Sequence, residues 1–257
     1  TPNYHRSGKS LLLIWRCEHL KAYFHVGNLT YDGSKYIFEY THHSNAPRKV
    51  REAIKNGYRL HPAFPELEKK YESKTLFPAF NRRIPSKDRI DYYKILKSLK
   101  LPKDADRMDI LRKTRGIIQG DPYFFFEPLR FEEKSNLLST SFYISGMRYR
   151  DLPSDWSEKI HLGDRLYPIQ RPVDIDPYAI ELHTDDQMFL GYVPAVYSQA
   201  MYSLLERNIE LNFIVEELHP DYAPQWWVRV SFEATLDLKN DQTFQAEKLN
   251  DLVFYVA

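Results

Sequence analysis

Phe142-Tyr143-Ile144-Ser145-Gly146-Met147-Arg148-Tyr149-Arg150 opens the stretch on which the fold turns: an apolar run breaks at a glycine, then becomes basic and aromatic. Leu162-Gly163-Asp164-Arg165-Leu166-Tyr167-Pro168-Ile169-Gln170-Arg171 follows. Asp176-Pro177-Tyr178-Ala179-Ile180-Glu181-Leu182 and Phe189-Leu190-Gly191-Tyr192-Val193-Pro194 come next, and an apolar-periodic run from Ala195 to Leu205 closes the stretch. Short apolar runs separated by Gly, Asp and Pro read as short strands, and the last run as one helix laid across them. Strands this short do not bury a core by hairpin pairing alone, so the stretch predicts a small barrel closed by its helix.

Downstream, Glu210–Glu217 and Trp226–Phe232 alternate apolar and polar residues and predict two strands joined by the loop His219–Pro224, with a last strand within Leu249–Val256. Upstream, Leu11–Arg16, Ala22–Leu29 and Lys35–Tyr40 predict an antiparallel meander, with a turn at Tyr31-Asp32-Gly33-Ser34. Helices are expected at Arg48–Lys55, Glu66–Tyr71, Arg89–Leu99 and Asp106–Thr114, the third capped from Ser86-Lys87-Asp88 and packed through Ile90, Tyr93, Ile95, Leu96 and Leu99. Tyr123–Phe126 reads as a buried strand, Pro128–Ser139 as a bridge, and residues 1–10 as a frayed terminus. The fold class is therefore α+β. An N-terminal sheet with helices occupies 1–130, and a small barrel with one packed helix occupies 140–257.

The 257 residues are 43% apolar and 15% aromatic, so a sizeable core is within reach. A single cysteine, Cys17, excludes an internal disulfide and a thiolate-rich zinc site. No run approaches a membrane span and no signal-peptide pattern opens the chain, so the expectation is a cytoplasmic protein without a membrane partner. The net charge of +1 conceals an asymmetry: residues 1–130 carry 26 Lys+Arg against 14 Asp+Glu, a net of +12, and the remainder carries −11. A chain split this way either packs its halves face to face or shows each to a different partner.

The chemistry points to binding, not catalysis. The nine histidines are scattered without metal-ligand spacing, and His42-His43 are neighbours whose side chains need not converge, so neither metal nor cofactor is expected. There is no nucleophile elbow and no kinase catalytic loop, and Cys17 sits in an apolar strand. Ser7-Gly8-Lys9-Ser10 lacks the preceding glycine of a phosphate loop, where Asn3 stands. Two stretches do suit a partner. Phe77, Phe80, Arg82, Arg83, Lys87 and Arg89 interleave bases and aromatics, as phosphate contact with base stacking or an acidic protein requires. The Arg148-Tyr149-Arg150 corner, with Arg171 in the following strand block, suits a pocket at strand ends.

Segment 142–235 resembles a HIRAN domain. The resemblance rests on the Gly146-Met147-Arg148-Tyr149 corner, the Gly163-Asp164 turn, Asp176-Pro177 before Ala179-Ile180, and Leu190-Gly191-Tyr192-Val193-Pro194 before the helix. It implies a small barrel that captures the free 3′ end of single-stranded DNA through Tyr149, Arg150, Arg171, Asp176 and Tyr178. Tyr149 and Asp176 match the family pattern; Arg150 replaces a second aromatic, and Val173 and Tyr178 replace asparagines. Residues 11–126 resemble the small N-terminal subdomain of HipA-type kinases through Val26-Gly27-x-Leu29, Tyr36-x-Phe38-x-Tyr40 and Leu76-Phe77-Pro78-x-Phe80. That resemblance implies an antitoxin-like or regulatory protein whose partner is a separate HipA-like kinase. Of the two functions, the kinase partner is the first expectation and recognition of DNA ends the alternative.

Overall fold

The computed structural model describes residues 9–237, 240 and 253–256, so most of the expected frayed terminus and residues 249–252 of the last expected strand lie outside it. The chain falls into two compact units, one up to Pro128 and one from Leu129. The architecture is α+β, as the sequence predicts, with two largely antiparallel sheets and few helices. No described helix is long and apolar enough to cross a membrane.

In the first unit β1 (Lys9–Cys17), β2 (Ala22–Tyr31) and β3 (Tyr36–Tyr40) form the expected meander. β4 (Tyr71–Ser73) and β5 (Tyr123–Phe126) complete a sheet ordered β4-β3-β2-β1-β5. Alternation along β3 buries Tyr36, Phe38 and Tyr40 and turns Ile37 and Glu39 away from the core. A Cβ at position 27 would stand 2.6 Å from the Phe38 ring, so only glycine lets that ring cross β2. Around Phe38 lie Phe64 at 4.3 Å and Phe80 at 5.5 Å between ring centroids, and Phe80 touches Phe77 and Phe125 in turn.

Four short helices flank the sheet: α1 (Val50–Lys55), α2 (Pro78–Asn81), α3 (Tyr92–Ser98) and α4 (Arg107–Thr114). At the start of α4, Asp106 and Asp109 cap each other's backbone N–H reciprocally, and Lys9 reaches both carboxylates, at 2.7 and 2.9 Å. His25 is fully enclosed beside Lys49, whose Nζ lies 2.7 Å from Nδ1. The ring proton therefore sits on Nε2, which donates to Asn28 Oδ1 at 2.6 Å. Burial first, and the Lys49 charge second, hold the pKa of His25 well below its ordinary value.

Three local expectations fail, the first two because a nearby side-chain hydrogen bond wins. Residues 66–70 hold a turn at 67–68 and no helix: the Tyr71 hydroxyl accepts from the Glu66 N–H at 2.8 Å and closes the segment into a loop. α3 starts at Tyr92, not Arg89, and its N-cap Asp91 makes no side-chain cap because Arg89 occupies the carboxylate at 2.9 Å. Its buried face is Tyr92 and Leu96, while Ile90 and Tyr93 are exposed. The bridge expected at 128–139 instead carries one strand and the start of another.

In the second unit those strands are β6 (Leu129–Glu132) and β7 (Leu137–Tyr143). β8 (Arg165–Gln170), β9 (Ile180–His183), β10 (Phe189–Tyr192), α5 (Ala195–Glu206), β11 (Asn212–Leu218), β12 (Val228–Thr235) and β13 (Val253–Val256) follow. They form one sheet in the order β10-β9-β8-β11-β12-β7-β6-β13. Strict alternation points Leu138, Thr140 and Phe142 of β7, and Val228, Val230, Phe232 and Ala234 of β12, inward. α5 buries Tyr197, Ala200, Met201 and Leu204 at helical spacing and sets Tyr197 against Phe142.

The sheet curls until β10 meets the chain just past β7. There Ser145 and Tyr192 exchange both backbone hydrogen bonds, at 2.9 and 2.8 Å. A Cβ at position 191 would lie 2.5 Å from the Ser145 carbonyl oxygen and 2.7 Å from the Ile144 side chain, so the closure needs glycine.

Gly191→Ala should therefore lower the stability of this unit by about 1–3 kcal/mol, read from urea unfolding; an unchanged midpoint would exclude a closure at this point. In the first unit Arg83 has a side chain only 2% exposed, pairs with Asp121 at 2.8 Å and donates to the Gly116 carbonyl at 3.1 Å. Arg83→Met should cost about 3 kcal/mol by stranding the Asp121 charge, whereas Arg82→Ala, at an exposed position, should stay within about 0.5 kcal/mol in the same assay. Because the folded His25 refuses a proton that the unfolded chain accepts, its contribution is complete above about pH 6.5 and falls as the pH drops below that value, by about 1.4 kcal/mol per pH unit. In His25→Gln the acid limb of a stability–pH curve should flatten by one proton; parallel curves would assign the effect elsewhere.

Candidate nucleic-acid interface

The barrel closure fixes what surrounds the aromatic corner. Past Ser145 the chain leaves the sheet through Gly146, whose φ of 76° places it in the left-handed region that glycine adopts without strain. A 3-10 turn, Met147–Tyr149, follows and is held by hydrogen bonds from Tyr149 N–H to the Gly146 carbonyl and from Arg150 N–H to the Met147 carbonyl, both 3.1 Å. Met147 is buried and anchors the turn from beneath, so Arg148 and Tyr149 project outward; Tyr149 is 76% exposed.

Arg150 returns toward β10. Its guanidinium carbon lies 4.8 Å from the centre of the Phe189 ring and 5.5 Å from that of Tyr192. Its Nε is buried without a hydrogen-bond partner, and Arg150 forms no ion pair among the described residues. β10 and β9 pair Phe189 with His183, and their rings stack at 5.0 Å with planes 10° apart. His183 Nε2 lies 2.7 Å from one oxygen of the buried Glu181 carboxylate, and Arg171 Nε forms an ion pair with the other at 3.2 Å. A continuous polar–aromatic row thus runs Arg150, Phe189, His183, Glu181, Arg171.

Of the five pocket residues read from the sequence, the structure brings Tyr149, Arg150 and Arg171 into this row or beside it. Asp176 and Tyr178 serve a different arrangement. Val173 and Asp176 exchange backbone hydrogen bonds, both 3.0 Å, across a tight turn whose tip, Ile175, is 74% exposed. Asp176 accepts from the Tyr178 N–H at 3.0 Å and from the Ser198 hydroxyl on α5, while the Tyr178 ring packs edge-on against Tyr202 of the same helix. These residues shape the loop. Where the resemblance implies that they touch a ligand, their bonds hold the turn onto α5.

Phe189, Tyr192, His183 and Glu181 were not singled out by the sequence. Phe189 and Tyr192 stand in a block that reads as plain strand, and His183 meets Phe189 only through the β9–β10 register, which shifts between Phe189 and Gly191. Cross-strand neighbours of that kind have no signature in a linear pattern.

The basic–aromatic stretch of the first unit does not form the continuous surface that its sequence predicts. Phe77 and Phe80 are buried in the aromatic core and Arg83 is turned inward to Asp121, so none of the three can stack on a base or reach a phosphate. Arg82, Lys87 and Arg89 are exposed, and Arg89 is paired with Asp91. The Phe and Arg density that suggested a surface is the packing of a small core. The HipA-like blocks have the same explanation: Val26, Leu29, Phe38, Leu76 and Phe80 are all core residues, and Gly27 makes room for Phe38.

No family model and no curated protein matches this chain. Among solved structures it is similar over part of its length to a protein from Lactobacillus plantarum, at 18% identity and a TM-score of 0.33, covering 38% of this chain and 96% of that one. It is likewise similar to the HIRAN domain of human HLTF, at 11% identity and a TM-score of 0.31, covering 44% of this chain and 84% of that one. The resemblance to HipA-type kinases gains no support from these matches.

Proposed function

We propose that the second unit binds single-stranded nucleic acid at the rim row, with the strand's end received beside Arg150 and a terminal base stacked on Tyr149. The observation that carries this reading is the Arg150 guanidinium spread over Phe189 and Tyr192 with no acidic partner among the described residues, next to a tyrosine ring 76% exposed. Two aromatic faces fix the plane of the guanidinium, and a fixed planar fork suits the oxygens of a phosphate. An exposed aromatic at a loop tip offers any base a stacking partner. The HIRAN-like order of the sequence blocks supports a 3′ end as the feature that is read. No observation favours docking on a HipA-like kinase or an antitoxin role.

Electrostatics sets the expected mode of binding. Residues 141–207 hold 6 basic and 10 acidic side chains, so the module does not attract a polyanion over its whole surface. Affinity comes from stacking and a few local contacts. With Arg148 and Arg150 the only phosphate contacts, the logarithm of the binding constant should fall with the logarithm of salt at a slope of about −1.4.

Fluorescence anisotropy with short oligonucleotides tests the reading. The expected result is tighter binding to a strand with a free 3′ hydroxyl than to the same strand blocked by a 3′ phosphate or to blunt duplex. Tyr149→Ala should weaken binding by about 1–3 kcal/mol and Arg150→Gln by at least as much. Equal binding to free and blocked ends would remove end recognition; parent-like binding by both variants would remove this surface altogether.

A further inference from the structure

We propose that Glu39, His42 and His43, at the end of β3 in the first unit, form a three-ligand site for a divalent cation of the zinc type. A ligand atom from each of the three side chains lies within 4.8 Å of the others, and the two imidazole rings are 3.8 Å apart between centroids with planes at 41°. Adjacent residues on a regular strand point to opposite faces. Here the strand has ended at Tyr40 and the chain turns, which is what brings neighbouring histidines to one side.

The turn is held by bonds that leave the three side chains alone. Thr41 donates its backbone N–H to the Val26 carbonyl at 3.0 Å and its hydroxyl to the His25 carbonyl at 2.8 Å, while the same hydroxyl oxygen accepts from the Val50 N–H. Arg51 Nε donates to the His42 carbonyl at 2.8 Å and pairs with Glu68 through its other end. The ligand backbone is thus pinned from β2, from α1 and from the 66–70 loop. A site held this way loses little freedom when an ion binds.

The three side chains have nothing else to do. Among the described residues neither imidazole nor the Glu39 carboxylate takes part in a hydrogen bond or ion pair with another protein group. His42 is buried on its protein side, 8% exposed, and His43 is exposed, so the group forms a half-enclosed cup open to solvent. Two nitrogens and one carboxylate oxygen are the donor set that Zn²⁺ and its first-row neighbours take; Ca²⁺ and Mg²⁺ require oxygen cages. Three protein ligands leave the fourth tetrahedral position to a water. The site is in the first unit and does not depend on the nucleic-acid reading of the second.

The test uses the full chain stripped of metal by chelator dialysis and titrated with Zn²⁺ against a chromophoric competitor, with Co²⁺ absorption as a report on ligand geometry. One ion per chain should bind, with a tetrahedral cobalt spectrum, and the thermal unfolding midpoint should rise with metal. His43→Ala, at an exposed position, should weaken binding by more than the roughly 10–100-fold that loss of an outer-shell partner costs, as should His42→Ala, with Glu39→Gln intermediate. His161→Ala, an exposed histidine of the other unit, should bind like the parent. A parent that binds no zinc, or that binds it equally well after His43→Ala, would overturn the proposal. So would loss of binding with His161→Ala.

Discussion

A single pair of backbone hydrogen bonds, between Ser145 and Tyr192, decides the geometry of the second unit. Without it the sheet is an open ribbon in which β10 is an edge, with its row of N–H and carbonyl groups exposed to any other strand. With it, β10 is joined to the segment just past β7, and Arg150, at the end of the 3-10 turn that follows, lies over the rings of Phe189 and Tyr192. The position of Arg150 is therefore a consequence of closure and not of its own sequence neighbourhood. Gly191 is the permission for that closure: the backbones approach to a distance at which no side-chain carbon fits. One absent methyl group thus supports both the fold and the candidate interface.

Much of the architecture is legible from the chain itself. Period-two alternation in 137–143 and 228–235 gives inner and outer rows directly, and the Asp106–Asp109 spacing marks the start of α4. Illegible elements share a cause. Glu66–Tyr71 and Arg89–Tyr92 have helical composition, but a tyrosine hydroxyl in one case and an arginine–aspartate fork in the other divert the groups that a helix would use. Such side-chain competition is invisible to a periodicity count. Of the candidate interface, Tyr149 and Arg150 could be named from a corner motif; His183 and Glu181 could not, because their role is set by a strand register.

The positive charge of the first unit illustrates how composition misleads. Its excess of +12 suggested a surface for an acidic partner. Part of that excess is internal. Arg83 binds carbonyls and Asp121, and Arg107, 7% exposed, donates to Asn81 Oδ1 at 2.8 Å and to the Pro85 carbonyl at 2.7 Å. These guanidinium groups satisfy loop carbonyls between short helices, where regular structure is too scarce to do so. An arginine count taken along the chain makes no distinction between a charge offered to solvent and one used as a multi-toothed hydrogen-bond donor.

The pairing of β7 with β12 has a consequence for how the protein is made. Their registers join residues 137–143 to 229–235, so β7 precedes its central partner β12 by roughly 90 residues. At ribosomal speeds of about 5–20 residues per second, that gap lasts about 5–18 s. During this interval β7 has no β12 to pair with and Phe142 lacks its packing partners Tyr197 and Phe213, while the first unit, whose last described strand ends at Phe126, already has all of its described strands. The two halves of the chain thus mature on different clocks, and the slow one is the half whose apolar strand waits exposed.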